Sequence, residues 1–487
     1  MSPKFRDNSA EGMVKKMSDY GKVTPEIVDE LIGIAGPSNV IVDADRLEKY
    51  GHDETSIKDY AHMPEVVVTP VTTEQVAGIM QLAYRYRIAV TPRGAGSGLS
   101  GGAIPIFGGI VLSVEKMNKV IEIDDKNLTV TAEAGIITNE LNDRLETYGL
   151  FFAGYPMSLE TCCLGGNIAE NAGGGKAVKY GVTGRYVLGL EVVTPDGKIL
   201  ELGGKVTKDV SGYDLKQLYI GSEGTLGIIT RATIRLLGKP AMRSNLLVPF
   251  KTPEEAIAVV PIIMTRGIIP TSIEFMDRTS VEMTCNYLNE SLPIEGVGAM
   301  LLIEIDGSDE QQVEREMIAT GDLCESHRAM EVYIAEDKNT QERIWAVRRN
   351  IAEALKVYSP VQSLEDVVVP IGAIPQVLPE LKRLSEKYKV TIPCYGHAGD
   401  GNLHATIIKS PDSTMEYWYE TEPLILREMY AFIVGKLGGK ISGEHGIGLK
   451  RRKYLRELIS DNEAELYRSL KRAFDPLMIM NPGKIIV

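Results

Sequence analysis

Glycine clusters in this chain, and that clustering constrains the fold more than any other feature of the sequence. Of the 48 glycines among 487 residues, many fall in three blocks, 94–109, 154–184 and 221–227. The first opens Pro92-Arg93-Gly94-Ala95-Gly96-Ser97-Gly98-Leu99-Ser100-Gly101-Gly102, and the third reads Gly221-Ser222-Glu223-Gly224-Thr225-Leu226-Gly227-Ile228-Ile229. Each glycine costs backbone entropy on folding, roughly 0.5–1 kcal/mol relative to Ala. Repeated blocks therefore point to backbone that must approach a large ligand, and successive uncovered N–H groups can form a nest for a pyrophosphate. Gly96 to Gly101 spells GxGxxG. The residues that follow, Ala103-Ile104-Pro105-Ile106-Phe107-Gly108-Gly109, are turn-like, so the helix that a nicotinamide Rossmann site requires is not expected.

Around these blocks the pattern alternates. Thr24-Pro25-Glu26 caps a short helix that stops at Gly36-Pro37, behind a polar arm over 1–22. Val66-Val67-Val68, a helix presenting Val76, Ile79, Met80 and Ala83, and Ile88-Ala89-Val90 make a βαβ unit. Strands are expected near 110–112, 128–130, 190–193 and 199–202, and a helix over 138–148. Gly238-Lys239-Pro240 reads as a boundary. Beyond it a helix opening at Pro253 alternates with strands 299–305 and 331–335, a second α+β unit.

The formal net charge is −13, which argues against a nucleic-acid surface but leaves room for a local cationic pocket. No apolar run reaches the length of a transmembrane helix, and the N-terminus lacks a signal-peptide pattern. The five cysteines (Cys162, Cys163, Cys285, Cys324 and Cys394) fit neither a disulfide framework nor a metal knuckle, so a reducing cytoplasmic setting is expected.

Three of the six histidines stand out. His397 and His404 flank a Gly-Asp-Gly-Asn turn, and His445 follows Glu444 in Gly443-Glu444-His445-Gly446-Ile447-Gly448. Two histidines and a carboxylate can face a metal and leave positions open; hydrogen-bonded loop histidines would give the same spacing. His52, His62 and His327 read as surface or structural. A helix over 341–356 would place Arg348 within the face of Ile344, Val347, Ile351 and Leu355, and turn Arg349 to solvent. The Lys450-Arg451-Arg452-Lys453 run reads as solvated.

Taken in order, Pro92–Gly102, Gly165-Gly166-Asn167-Ile168-Ala169-Glu170-Asn171-Ala172-Gly173-Gly174, Tyr180-Gly181 and Gly221–Thr230 resemble the FAD-binding domain of the vanillyl-alcohol oxidase / p-cresol methylhydroxylase superfamily. Within it the chain is similar to the branch of D-lactate dehydrogenases and glycolate oxidase flavoprotein subunits. The resemblance implies an α+β fold: a two-subdomain FAD-binding domain of p-cresol methylhydroxylase type (38–238) behind an N-terminal arm and helix (1–37). An inserted α+β cap domain for the substrate (239–430) follows, then a segment that returns to the FAD domain (431–487).

It further implies that Pro92, Arg93, Gly94, Ala95, Gly96, Ser97, Gly98 and Leu99 wrap the FAD pyrophosphate. Pro156, Thr161, Gly165, Gly166, Ile168, Asn171, Gly173, Gly181, Glu223, Gly227, Ile229 and Asn481 would hold the rest of the cofactor. The first loop has Ser97 and no histidine, so FAD is expected to be non-covalent. By the same resemblance His397, His404 and Glu444 bind a divalent metal (Zn²⁺, Fe²⁺ or Mn²⁺), His445 is the base, Arg348 takes the substrate carboxylate, and Asn402 orients. The implied activity is oxidation of a D-2-hydroxy acid, D-lactate first, with glycolate or D-2-hydroxyglutarate as alternatives and an accessory flavin-binding subunit as a rival. Electrons would leave to a protein such as electron-transferring flavoprotein, for which the arm could be a docking element.

Overall fold

A helix forms over Thr73–Tyr86 because Thr72 accepts the Gln75 amide as its cap and because Val76, Ile79, Met80 and Ala83 bury one stripe. It shares an apolar core with the first of four sheets in a computed structural model that describes residues 20–335 and 337–485. That sheet contains β1 (Val40–Ile41), β2 (Val66–Val68), β3 (Val90–Arg93) and β4 (Ile110–Ser113) in the order β1-β2-β4-β3. β2 and β3 both run parallel to β4, which lies between them. The β-branched runs are buried on both faces, as expected of a parallel sheet.

The chain then forms β5 (Val120–Asp124), β6 (Thr129–Glu133), β7 (Leu150–Phe151), β8 (Val187–Val193), β9 (Ile199–Gly203), β10 (Ile228–Arg235) and β11 (Leu237–Gly238). Five of these pair antiparallel in the order β5-β6-β10-β8-β9, and β7 pairs with β11. In β10, Ala232 and Ile234 alternate inward with half-exposed Arg231, Thr233 and Arg235 outward, the mark of a sheet with one wet face. One apolar core joins both sheets, and it includes Ile479 and Met480 from the end of the chain. The Val90 amide donates to Ile479 O at 2.8 Å, and Asn481 N donates to Val90 O at 2.7 Å.

A seven-stranded antiparallel sheet follows, built from β12 (Met242–Phe250), β13 (Ser272–Asp277), β14 (Ala299–Gly307), β15 (Tyr333–Ala335), β16 (Gln362–Val368), β17 (Cys394–His397) and β18 (Asn402–Ile408). Its order is β15-β12-β14-β13-β17-β18-β16. Both faces are covered: Leu301, Ile303 and Ile305 of β14 enter one core, Met300 and Leu302 another. β13 and β17 sit mid-sheet, so side chains at their ends are held on rigid backbone.

The helix expected over 341–356 is two helices, Lys338–Arg349 and Ile351–Tyr358, broken at Asn350, whose side-chain amide donates back to Ala346 O at 2.8 Å. No helix opens at the GxGxxG match. Most of the polar arm, residues 1–19, lies outside the described residues. Among the described residues no helix is long and apolar enough to cross a membrane.

Candidate active site

A cavity of about 740 Å³ runs between the glycine loops and the seven-stranded sheet. One end is walled by Pro92 to Leu99, by Pro156, Thr161, Gly165 and Gly166, and by Glu223, Gly227 and Ile229. The other end is walled by Arg348, His397, His404, Glu444 and His445. The wall suits an extended dinucleotide. At Gly98 the nearest atom to an added Cβ is Asp53 Oδ2 at 3.7 Å, and at Gly166 it is Cys163 Sγ at 3.4 Å. The protein itself leaves room at both positions, so clearance for a ligand is the remaining reason for glycine. FAD fits these residues.

Five of the expected cofactor residues do not line this cavity. Ile168 is fully buried in the core, and Asn171 ends a helix in the left-handed region while its Oδ1 accepts Gly184 N at 2.9 Å. Gly181 packs on Arg185. Gly173 sits behind Glu444, where an added Cβ would lie 3.3 Å from Oε2. The Asn481 amide donates to Gly102 O and Glu223 O at 2.9 and 2.8 Å, stapling the chain end to two glycine blocks. The Arg93 guanidinium lies against Gly96 and donates to the carbonyls of His52 (2.7 Å) and Lys49 (3.1 Å), so it props the loop from one side.

At the far end the Nε2 atoms of His397, His404 and His445 lie 3.3, 3.4 and 3.6 Å from Glu444 Oε1. The rings of His404 and His445 are stacked, 2° from parallel with centroids 5.1 Å apart. Imidazole nitrogen and carboxylate oxygen are the donors that Zn²⁺, Fe²⁺ and Mn²⁺ accept, so a divalent ion fits this set. Asp366 is close enough to be counted with His404, Glu444 and His445. Its oxygens are already used: Oδ2 accepts Ser442 Oγ and the amides of Gly443, Glu444 and His445 at 2.7–3.0 Å, and Oδ1 accepts Asn402 Nδ2 at 2.7 Å. Asp366 is therefore an anchor for the loop. Asn402 is buried and outside the cavity wall, and it orients Asp366.

The electrostatics divide the groups. Burial raises the Glu444 carboxyl, but His397 and His404 overcome this and hold it well below the carboxylate range. Burial lowers His397, but Glu274 and Glu444 raise it well above its ordinary value. Burial lowers His445 to about 4, which keeps that imidazole neutral near pH 7. Burial raises Asp400, beside the His397 turn, to about 7.

Arg348 is buried, its Nε and Nη2 both 2.6 Å from Glu274 Oε2, with its guanidinium 5.3 Å from the Tyr395 ring centroid. Arg349 is exposed and pairs with Glu342. The solvated reading of the basic run fails at two positions: half-buried Lys450 and buried Arg451 lie against Glu365 at 2.8 and 3.3 Å, and Arg451 Nη1 donates to Gly446 O at 3.1 Å. Those charges hold the His445 loop. His52, His62 and His327 do not line the cavity. Glu274, Glu365 and Asp366 were missed from sequence; their one signal is an acid inside a short strand-like stretch, as in Ser272–Asp277 and Gln362–Val368.

Comparison with known proteins identifies the family. The profile described as "FAD binding domain" matches residues 64–203, and that described as "FAD linked oxidases, C-terminal domain" matches 239–485. The chain is 38% identical over 467 residues to the glycolate oxidase subunit GlcD of Bacillus subtilis, covering 95% of this chain and 97% of that one. It is 37% identical to a D-lactate dehydrogenase of Anaerostipes hadrus (96% and 98% covered). It is 33% identical to a D-2-hydroxyglutarate dehydrogenase of Stutzerimonas stutzeri (95% and 99%). Among solved structures, p-cresol methylhydroxylase with substrate bound shares the fold, with a TM-score of 0.78, 19% identity and 98% and 97% of the chains covered.

Proposed function

This chain belongs to the FAD-linked oxidase family, and from that premise we propose that it oxidises D-lactate to pyruvate with a divalent metal in the site. The observation that carries the reading is the convergence of three imidazole Nε2 atoms on Glu444 Oε1 at one end of the FAD cavity. Bound FAD would supply a hydride acceptor. A metal held by His397, His404 and Glu444 would supply a positive charge for the substrate oxygens. His445, neutral and presenting Nε2, takes the hydroxyl proton. Arg348 receives the carboxylate; a planar fork does this better than an ammonium.

The five cysteines are all buried and free; electrons from bound FAD would pass to an external carrier, for which we infer electron-transferring flavoprotein. Deletion of residues 1–22 tests the arm: partner-dependent turnover should fall, and unchanged turnover removes the arm from docking. The substrate test is anaerobic flavin reduction by D- and L-lactate, glycolate and D-2-hydroxyglutarate. D-lactate should bleach fastest. Faster bleaching by glycolate or D-2-hydroxyglutarate would reassign the substrate, and no bleaching by any of them would end the 2-hydroxy acid reading.

A further inference from the structure

Glu274 is fully buried on β13, and its two carboxylate oxygens are committed in opposite directions. Oε1 faces His397 Nδ1 at 2.7 Å. Oε2 accepts Arg348 Nε at 2.6 Å and has Nη2 at the same distance. A buried carboxylate with no partner would be costly, and here two partners compensate it.

Each contact has a consequence in the cavity. The carboxylate holds the Nδ1 edge of His397, so Nε2 is the ring nitrogen turned toward Glu444 Oε1, 3.3 Å away. The two contacts on one edge of Arg348 fix a long side chain in one rotamer, with the Tyr395 ring beside it. The backbone is shaped around this carboxylate: a Cβ at Gly175 would lie 2.6 Å from Glu274 Oε1. The run Gly173-Gly174-Gly175 thus ends on Glu274.

We propose that Glu274 is a positioning residue that locks His397 and Arg348 into one rigid unit, so that the metal edge and the carboxylate edge of the site keep a set spacing. A 2-hydroxy acid carries its hydroxyl and carboxylate on adjacent carbons, and a fixed spacing selects for that pair. The inference rests on the metal and substrate reading above.

The test uses full-length, FAD-loaded protein. Zn²⁺ and Mn²⁺ affinities are measured by equilibrium dialysis, and kcat and KM by flavin reduction with D-lactate, for wild type, Glu274→Gln, Arg348→Lys and the double variant. E274Q should bind metal about 10–100-fold more weakly, the usual cost of losing a carboxylate behind a ligand histidine. Its KM should rise about tenfold or more with FAD content unchanged, and its effect on KM should not add to that of R348K. Gly175→Ala crowds the same carboxylate, 2.6 Å away, while His397 Nδ1 stays at an ordinary 3.5 Å contact, and should move both readouts in the same direction; it carries the test should E274Q fail to retain FAD. A variant that raises KM but binds metal as wild type does overturns the proposal, because Glu274 would then only neutralise Arg348. Wild-type protein that binds neither metal overturns the underlying reading and this inference with it.

Discussion

The Asp366 carboxylate accepts the backbone amide of His445 at 2.8 Å. The same oxygen takes the amides of Glu444 and Gly443 and the Ser442 hydroxyl, so one buried atom sets the path of the loop that carries both a candidate ligand and the candidate base. Burial opposes its charge, but His445 and His404 overcome this and hold the carboxyl well below its ordinary range. Asp366→Ala would strand these donors and the Asn402 amide. Each stranded buried donor costs about 1–3 kcal/mol, so the variant should lose about 3 kcal/mol or more of stability in urea unfolding. Turnover should fall about 100-fold or more, because His445 and Glu444 lose their placement. An unchanged urea midpoint would show that the loop holds itself.

His445 and His404 stack, yet they should fail differently when removed. His445→Ala should keep FAD and metal while substrate-driven flavin bleaching slows by about 10²–10⁴-fold, the usual worth of a general base. His404→Ala should lose metal, as read by elemental analysis of dialysed protein. Full bleaching in the first variant, or full metal content in the second, would reverse the assignment concerned.

Periodicity and glycine spacing made the first half of the fold readable. Val66–Val68, the helix after Thr72 and the three blocks each depend on neighbours within a few residues. His397 and His404 stood out as a pair because they flank one short turn. Glu274 did not, because its partner His397 is 123 residues away and nothing local distinguishes it from a misplaced charge in Ser272–Asp277. Lys450 and Arg451 misled for the same reason: a basic run reads as solvated unless the buried acid opposite, Glu365, is known. Asn350 breaks a helix that its apolar spacing alone would continue.

At Gly94 an added Cβ would meet Cys163 Sγ at 2.5 Å, on a loop that forms one wall of the FAD cavity. Gly94→Ala should therefore weaken FAD binding about tenfold or more by pushing the loop into the cavity. The obstruction is a single sulfur, so Gly94→Ala combined with Cys163→Ala should recover most of the affinity. Fluorescence titration of the deflavinated protein with FAD measures both. A double variant as weak as Gly94→Ala alone would mean that the backbone, and not the thiol, sets the limit.

Glu170 gives the clearest pH dependence. Its Oε2 is buried with no hydrogen-bond partner, and a side chain at Gly446 would meet it. Burial, then the charges of Glu223 and Asp53, raise its pKa well above 4.5. The folded chain thus keeps a proton that the unfolded chain releases. The associated stability is fully present below pH 4.5 and is lost as pH rises through the folded value. Lys484 acts in the opposite sense, because burial lowers it to about 7 and its cost fades as pH rises from there towards 10.5. Glu170→Gln isolates the first effect: it keeps the shape, cannot ionise and leaves Lys484 untouched. Relative to wild type, its urea midpoint should be little changed at pH 4.5 and distinctly higher at pH 8. An equal difference at both values would mean that Glu170 ionises without penalty in the folded chain.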